Sequence, residues 1–336
     1  MIWFQFVLCL AIILFAGTRL ARYGDTIADE SRLGRIWIGV VLIAFITTMP
    51  ELVTGVSSVA LVGSPDLALG VVLGSCCFNL LIVALLDIRH TRTPVLTLAS
   101  PRHTVTIAWG TMLIASAGVG IAFGGVVIPS IPGWLGIPSI LILVLYLLGM
   151  WWIFRRERSH RSDAAPPVSA APDRLSMRTV GIRFAMAAAA VIAAGIWLSF
   201  IGDGISETTG WGGTFVGALF LAITTSAPEL VIAFTALRIG AVDLAVAGLL
   251  GANMLNMAIL VPIDLAHGAG CVLAAVSSSQ LIIAGVAITM SLVVIAGLRF
   301  GRSRKLLRIA SWYAPVLIAF YIVGAYALFA SISGMW

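Results

Sequence analysis

The chain reads as a series of apolar runs, each about 20 residues long, separated by short polar or basic stretches. The runs are continuous and do not alternate apolar with polar at period two. They therefore predict helices that cross a bilayer, not the strands of a barrel. Ten spans are predicted, at 2–20, 36–62, 66–87, 103–124, 134–154, 181–201, 212–237, 243–266, 271–298 and 312–333. Lipid offers no partner to exposed backbone groups, so most of the chain must be helix. The predicted fold class is an all-α integral membrane protein. Its first run, Ile2 to Gly17, has no basic leader and no small-residue cleavage site, so it is expected to be retained as a helix.

One stretch breaks this pattern. Arg155, Arg156, Arg158 and Arg161 are followed by Ala164-Ala165-Pro166-Pro167 and Pro172. Such a sequence cannot build a core and is expected to form a surface linker over 155–180. It divides the chain into a five-span unit at 1–154 and a second at 181–336.

Composition fixes the solvent. Hydrophobic residues make up 60% of the 336 and charged residues 10%, against about 25% charged in soluble domains. The mean hydropathy is +1.10. All 20 Lys and Arg residues fall in, or at the borders of, alternate loops: 1–2, 3–4, 5–6, 7–8 and 9–10. The positive-inside rule makes that side cytoplasmic and places both termini outside a cell membrane. This bias accounts for the net charge of +6, so the bilayer is the expected partner and nucleic acid is not. A monomer is compatible with the sequence. The four cysteines, Cys9, Cys76, Cys77 and Cys271, lie in apolar runs without zinc spacing and read as free thiols. No cofactor is expected.

Charge enters the apolar runs at two matching places. One is Thr47-Thr48-Met49-Pro50-Glu51-Leu52-Val53, the other Thr225-Ser226-Ala227-Pro228-Glu229-Leu230-Val231. A carboxylate at such a depth costs roughly 2.5–3.5 kcal/mol on insertion scales and marks function by default. The match extends well beyond these motifs. Gly24-Asp25 answers to Gly202-Asp203, Gly39 to Gly217 and Ala44 to Ala222. After a one-residue deletion, Asp66-Leu67-Ala68 answers to Asp243-Leu244-Ala245, Gly74 to Gly251, Asn79 to Asn256 and Asp87 to Asp264. Five spans per unit is an odd number, so the second copy is inserted upside down relative to the first.

The repeated motif has the chemistry of a cation site. Pro50 and Pro228 lack an N–H and break their helices, which frees carbonyls. Thr47 and Glu51 share a helical face with Thr48 at its edge, and Thr225, Ser226 and Glu229 repeat that set. Ser75 and Asn79 are one turn apart, and Asn256 is the repeat mate of Asn79. All present oxygens, which suit hard cations. Asp66 and Asp243 begin spans and read as caps of their own helices. Asp87 and Asp264 end spans and read as interfacial. His90, His103, His160 and His267 lie near span ends or in the linker, and no Glu-x-x-His pattern exists, so an intramembrane hydrolase is excluded.

The two motifs, about 39–79 and 217–256, resemble the alpha repeats of the calcium/cation antiporter superfamily, which includes the sodium/calcium exchangers. The whole chain resembles a prokaryotic-size member. That resemblance implies ten transmembrane helices in two inverted repeats of five. It implies secondary active antiport that exports Ca²⁺ in exchange for Na⁺ or H⁺ by alternating access. Glu51 and Glu229 would be the central ligands. Thr47, Thr48, Ser75, Asn79 and the Ala44 carbonyl would support them from one half; Thr225, Ser226, Asn256 and the Ala222 carbonyl from the other. The first and sixth spans would slide past a rigid core.

The chain departs from the family pattern at five positions. Ile46 and Thr224 replace a glycine, Cys76 an asparagine and Ala252 a serine, and Asn256 stands where sodium/calcium exchangers often have aspartate. Two carboxylates remain, which suit one Ca²⁺ or two monovalent ions. Antiport of another cation (Na⁺, K⁺ or Mg²⁺) on the same fold stays open, as does a passive cation channel.

Overall fold

The computed structural model describes residues 1–30, 45–90, 93–123, 136–158, 176–300, 305 and 310–332. Among these residues the fold is all-α and has no strand. Helices α1 (Ile2–Glu30), α2 (Met49–Ala60), α3 (Pro65–Arg89), α4 (Val95–Leu98), α5 (His103–Ala122) and α6 (Ile137–Arg158) form the first half. The second half holds α7 (Met177–Thr209), α8 (Gly213–Thr225), α9 (Ala227–Arg238), α10 (Val242–His267), α11 (Val272–Ala275), α12 (Gln280–Phe300) and α13 (Tyr313–Ile332).

Eight of the helices are long and apolar enough to cross a membrane, or nine when the bent pair α8 and α9 counts as one span. The remaining predicted span, the second, 36–62, is described from Phe45 onward, and α2 is its second part. Most of the predicted linker lies outside the described residues, and α6 and α7 extend into its two ends.

Three span boundaries differ from the prediction: the first span continues from the predicted residue 20 to Glu30, the sixth from 201 to Thr209, and the ninth begins late. The run at 271–298 does not start a helix at Cys271. A short turn of helix, Val272–Ala275, is followed by extended Val276 and the serines Ser277, Ser278 and Ser279, and the span begins at Gln280. Apolar character alone cannot mark that break. Asp264, which takes the Val272 N–H at 2.5 Å, pins the short helix in place.

The two helices that carry the second part of each motif form the centre. In α3 and α10, 89% and 72% of the most apolar window is buried, against 17–39% in the other spanning helices. Glycines allow the backbones to meet there. A Cβ on Gly74 would lie 2.4 Å from the Ala218 carbonyl oxygen, and one on Gly217 would lie 2.6 Å from that of Leu67. Small residues at such crossings are the usual device in lipid, where apolar surface gives helices no reason to associate.

Helices α1 and α7 run antiparallel along each other at the side of this core. Ile2 meets Gly204, Cys9 donates to the Ala194 carbonyl at 3.2 Å, and Ala16 and Leu20 pack with Ala187 and Val191. At about 1.5 Å per residue, both are longer than the roughly 30 Å hydrocarbon layer.

Candidate cation site

Both repeats interrupt a helix just before the glutamate. Thr48 (φ −85°, ψ 1°) and Ser226 (φ −88°, ψ 7°) leave the helical region in nearly identical conformations. Pro50 and Pro228 follow in the first turn of the next helix, where a missing N–H costs nothing. The axes of α8 and α9 differ by 44° across this break. Each glutamate therefore stands, buried, in the first turn of a helix that starts inside the fold, where free N–H groups favour negative charge.

The predicted side chains converge. Thr47, Thr48, Glu51, Ser75, Asn79, Thr225, Ser226, Glu229 and Asn256 are all buried. Glu51 accepts from Ser226 Oγ at 2.7 Å and from Ser75 Oγ at 3.4 Å, and Thr225 also bonds to it. Glu229 is bonded by Thr47. Each carboxylate thus takes hydroxyl donors from the opposite repeat. Ser75 and Thr225 hydroxyls approach to 3.5 Å and close the ring. The two glutamates are near enough to repel each other, and among the described residues neither has an Arg or Lys partner.

The backbone ligands are less clear-cut. The Ala222 carbonyl already accepts from the Ser226 N–H at 3.0 Å and the Thr225 hydroxyl at 3.3 Å. To bind a cation it must release the Thr225 hydroxyl. Ala44 lies outside the described residues.

Among the described residues, several buried polar atoms of this cluster have no nitrogen or oxygen hydrogen-bond partner: Glu51 Oε2, Glu229 Oε2, Asn79 Oδ1, and both Oδ1 and Nδ2 of Asn256. Four of the five are oxygens. An unsatisfied buried polar group costs about 1–3 kcal/mol, and a charged one more. So many together mark a place shaped for a ligand.

Asn253 was not in the predicted set. It stands between the two central helices, giving Nδ2 to the Cys76 carbonyl at 3.1 Å and taking the Asn79 amide on Oδ1 at 2.9 Å. Its position one residue after Gly251-Ala252, matching Cys76 in the first repeat, was the available signal. Composition could not reveal the bond across the repeats.

The family profile described as sodium/calcium exchanger protein matches residues 1–154 and 180–330. The chain belongs to the sodium/calcium exchanger family. The exchanger also resembles solved structures of low sequence identity. It is 18% identical to YfkE, covering 96% of this chain and 91% of that one, with a TM-score of 0.62. It is 14% identical to the H⁺/Ca²⁺ exchanger CAX, covering 98% and 85%, with a TM-score of 0.69. It is 16% identical to the sodium-calcium exchanger NCX_Mj soaked with Na⁺ and Sr²⁺, covering 97% and 99%, with a TM-score of 0.60. At these identities the likeness concerns the fold. No curated protein matches the sequence.

Four aspartates frame the exchanger's central site, and none behaves as predicted. Asp66 does not cap its own helix: Ser64 does, and the Asp66 carboxylate instead takes the Ser277 N–H at 2.8 Å, the Thr214 hydroxyl at 3.1 Å and the Gln280 amide at 3.3 Å. Its repeat mate Asp243 takes the Ser100 N–H at 2.6 Å and His103 Nε2 at 2.8 Å. Asp87 and Asp264 are fully buried, not interfacial. Asp87 takes the Val95 N–H at 3.0 Å, and Asp264 takes that of Val272 at 2.5 Å. Ser311, Tyr313 and Lys305 also converge on Asp87, while the Gly136 N–H reaches Asp264 at 2.7 Å. These carboxylates fasten connecting segments to the ends of the central helices, where unpaired backbone N–H groups would otherwise be buried.

Proposed function

We propose that this exchanger is a secondary antiporter that exports Ca²⁺ in exchange for Na⁺ or H⁺ by alternating access. Glu51 and Glu229 bind the transported ions. Thr47, Thr48, Thr225, Ser226, Ser75, Asn79 and Asn256, with the carbonyls of Ala44 and Ala222, complete the site. The observation that carries this reading is the cluster of four buried oxygens, two of them carboxylate, that among the described residues have neither a hydrogen-bond partner nor a basic side chain to balance them. Two negative charges at mid-membrane need a positive counterpart of several kcal/mol worth of interaction. A divalent cation, two monovalent cations or two protons can each supply it, and no two of these can do so together. Exclusion of one occupant by the other is the chemical basis of exchange.

The oxygen-only donor set suits a hard cation such as Ca²⁺. Asn256 in place of a third acid leaves two charges to neutralise, which matches one Ca²⁺ against two monovalent ions. The basic loops put α3's C-terminal end in the cytoplasm and both termini outside. The named relatives CAX and NCX_Mj, an H⁺/Ca²⁺ and a sodium-calcium exchanger, are consistent with either coupling ion.

Calorimetric titration of purified protein tests the binding step. Ca²⁺ should bind at one site, Na⁺ or lowered pH should weaken it, and Glu51→Gln should remove it. Ca²⁺ binding that is unchanged in Glu51→Gln contradicts the reading. A monovalent ion that binds and is not displaced by Ca²⁺ shifts it to antiport of another cation.

A further inference from the structure

The amide network at the centre has a fixed direction, set by a backbone atom. The neighbour of Asn253 on one side is the carbonyl oxygen of Cys76, which can only accept, so Asn253 must turn Nδ2 towards it (3.1 Å). Its Oδ1 then faces Asn79 and can only accept, so Asn79 must offer its own Nδ2 (2.9 Å). What remains of Asn79 is Oδ1, buried and without a partner, one turn after the hydroxyl of Ser75 that reaches Glu51. Flipping either amide sets oxygen against oxygen or NH₂ against NH₂, so the arrangement does not rest on an arbitrary choice of amide orientation.

The other repeat lacks this device. The repeat mate of Asn253 is Cys76, a weak hydrogen-bonding thiol that lies 3.8 Å from the Asn253 carbonyl and also against the Asn256 side chain. The repeat mate of Asn79 is Asn256; it is 1% exposed, and among the described residues neither atom of its amide makes a hydrogen bond to a nitrogen or oxygen, the Cys76 thiol being its weak neighbour.

We propose that Asn253 is a positioning residue that holds the Asn79 amide with its oxygen towards the transported cation, and that the weaker Cys76 thiol holds the Asn256 amide less firmly. The cation meets one pre-oriented amide oxygen, from the first repeat, and one that must be ordered on binding. Cys76 therefore sets cation affinity through Asn256, and an asparagine there completes the second half of the network. This rests on the reading of the cluster as the transport site.

The test is the half-saturating Ca²⁺ concentration for gradient-driven flux in proteoliposomes. Glu51→Gln serves as the control for the functional reading itself. Asn253→Ala is expected to raise that concentration about tenfold with maximal flux within about twofold, the size of one lost oriented ligand. Asn79→Ala should do the same, and Asn79→Ala with Asn253→Ala should be no worse than Asn79→Ala alone. Cys76→Asn should lower the half-saturating concentration several-fold, and Cys76→Asn with Asn256→Ala should lose that gain. If Asn253→Ala does not fold, the Cys76→Asn pair carries the test. Two results overturn the proposal: Asn253→Ala and Asn79→Ala effects that multiply, or a Cys76→Asn affinity equal to wild type. Wild-type flux that is absent, or insensitive to Glu51→Gln, instead overturns the transport reading and leaves the positioning claim to be read on the amides' effect on Ca²⁺-induced thermal stabilisation.

Discussion

A single side chain's role in this protein depends on which backbone it reaches, and the aspartates make the point. Asp87 holds the Val95 and Ser311 N–H groups, the Tyr313 hydroxyl and the buried ammonium of Lys305. Asp264, its repeat mate, holds the Gly136 and Val272 N–H groups and no lysine. Removing Asp87 strands a buried charge; removing Asp264 strands two N–H donors. Asp87→Ala should therefore cost about 3–5 kcal/mol for the stranded charge on top of its own two stranded N–H groups, whereas Asp264→Ala strands two N–H groups alone, at roughly 1–3 kcal/mol each. Thermal unfolding in detergent should rank the two in that order, and a melting temperature for Asp87→Ala equal to wild type would contradict the assignment. The sequence aligned these two residues correctly but set them at the interface, because each ends an apolar run. What turns them inward is the chain folding back within eight residues to Val95 and Val272, a feature no residue pattern announces. Asn253 escaped notice for a similar reason, since its partners lie on the opposite repeat.

At the scale of helices, the sequence was most informative where a rule forbids alternatives. Proline cannot continue a helix without loss, so Pro50 and Pro228 located both breaks to within two residues. It was least informative where apolar residues continue through a turn, as at Cys271 to Ser279, where α12 starts later than predicted. The contact between the long helices and the broken ones is likewise invisible in the sequence. Gly17 of α1 lies against Pro228, where a Cβ would come within 2.5 Å of the ring, and Gly195 of α7 lies against Val53, where a Cβ would come within 2.9 Å. Gly195 also accepts the Thr54 hydroxyl at 3.3 Å. The two glycines occupy matching places in the two repeats; α1 passes the break of the opposite repeat at Pro228, and α7 passes the helix that follows the other break, each with only a glycine's clearance. If these helices slide during transport, a methyl at Gly17 meets a rigid ring. Gly17→Ala should slow maximal flux on the order of tenfold and leave the half-saturating Ca²⁺ concentration within about twofold. Equal turnover of Gly17→Ala and wild type would rule out movement of α1 past Pro228.

For the whole molecule, the inverted repeat places one glutamate from each half at a shared centre and arranges hydroxyls so that each half serves the other's carboxylate. Composition, the arginine distribution and the paired motifs were enough to read the membrane class and the inverted repeat, and to single out the two glutamates that the fold brings together. The identity of the coupling ion was not legible, because one Ca²⁺, two Na⁺ or two protons would balance the same two charges equally. That equivalence has consequences. One Ca²⁺ against two monovalent charges moves no net charge, so clamping the membrane potential should change flux by less than about twofold, whereas a third monovalent ion would make flux follow the potential steeply. If protons occupy the glutamates in competition with Ca²⁺, the half-saturating Ca²⁺ concentration should rise as pH falls and Na⁺ should be dispensable.

The central claim, that Glu51 and Glu229 jointly carry the exchanged ions, is tested most directly by Ca²⁺ flux into sealed proteoliposomes driven by an opposing Na⁺ or H⁺ gradient. Wild-type protein should move Ca²⁺ against its own gradient, and Glu51→Gln and Glu229→Gln should each abolish that movement while remaining folded. Undiminished gradient-driven flux in either variant, or Ca²⁺ flow in the wild type that needs no counter-ion, would contradict the account.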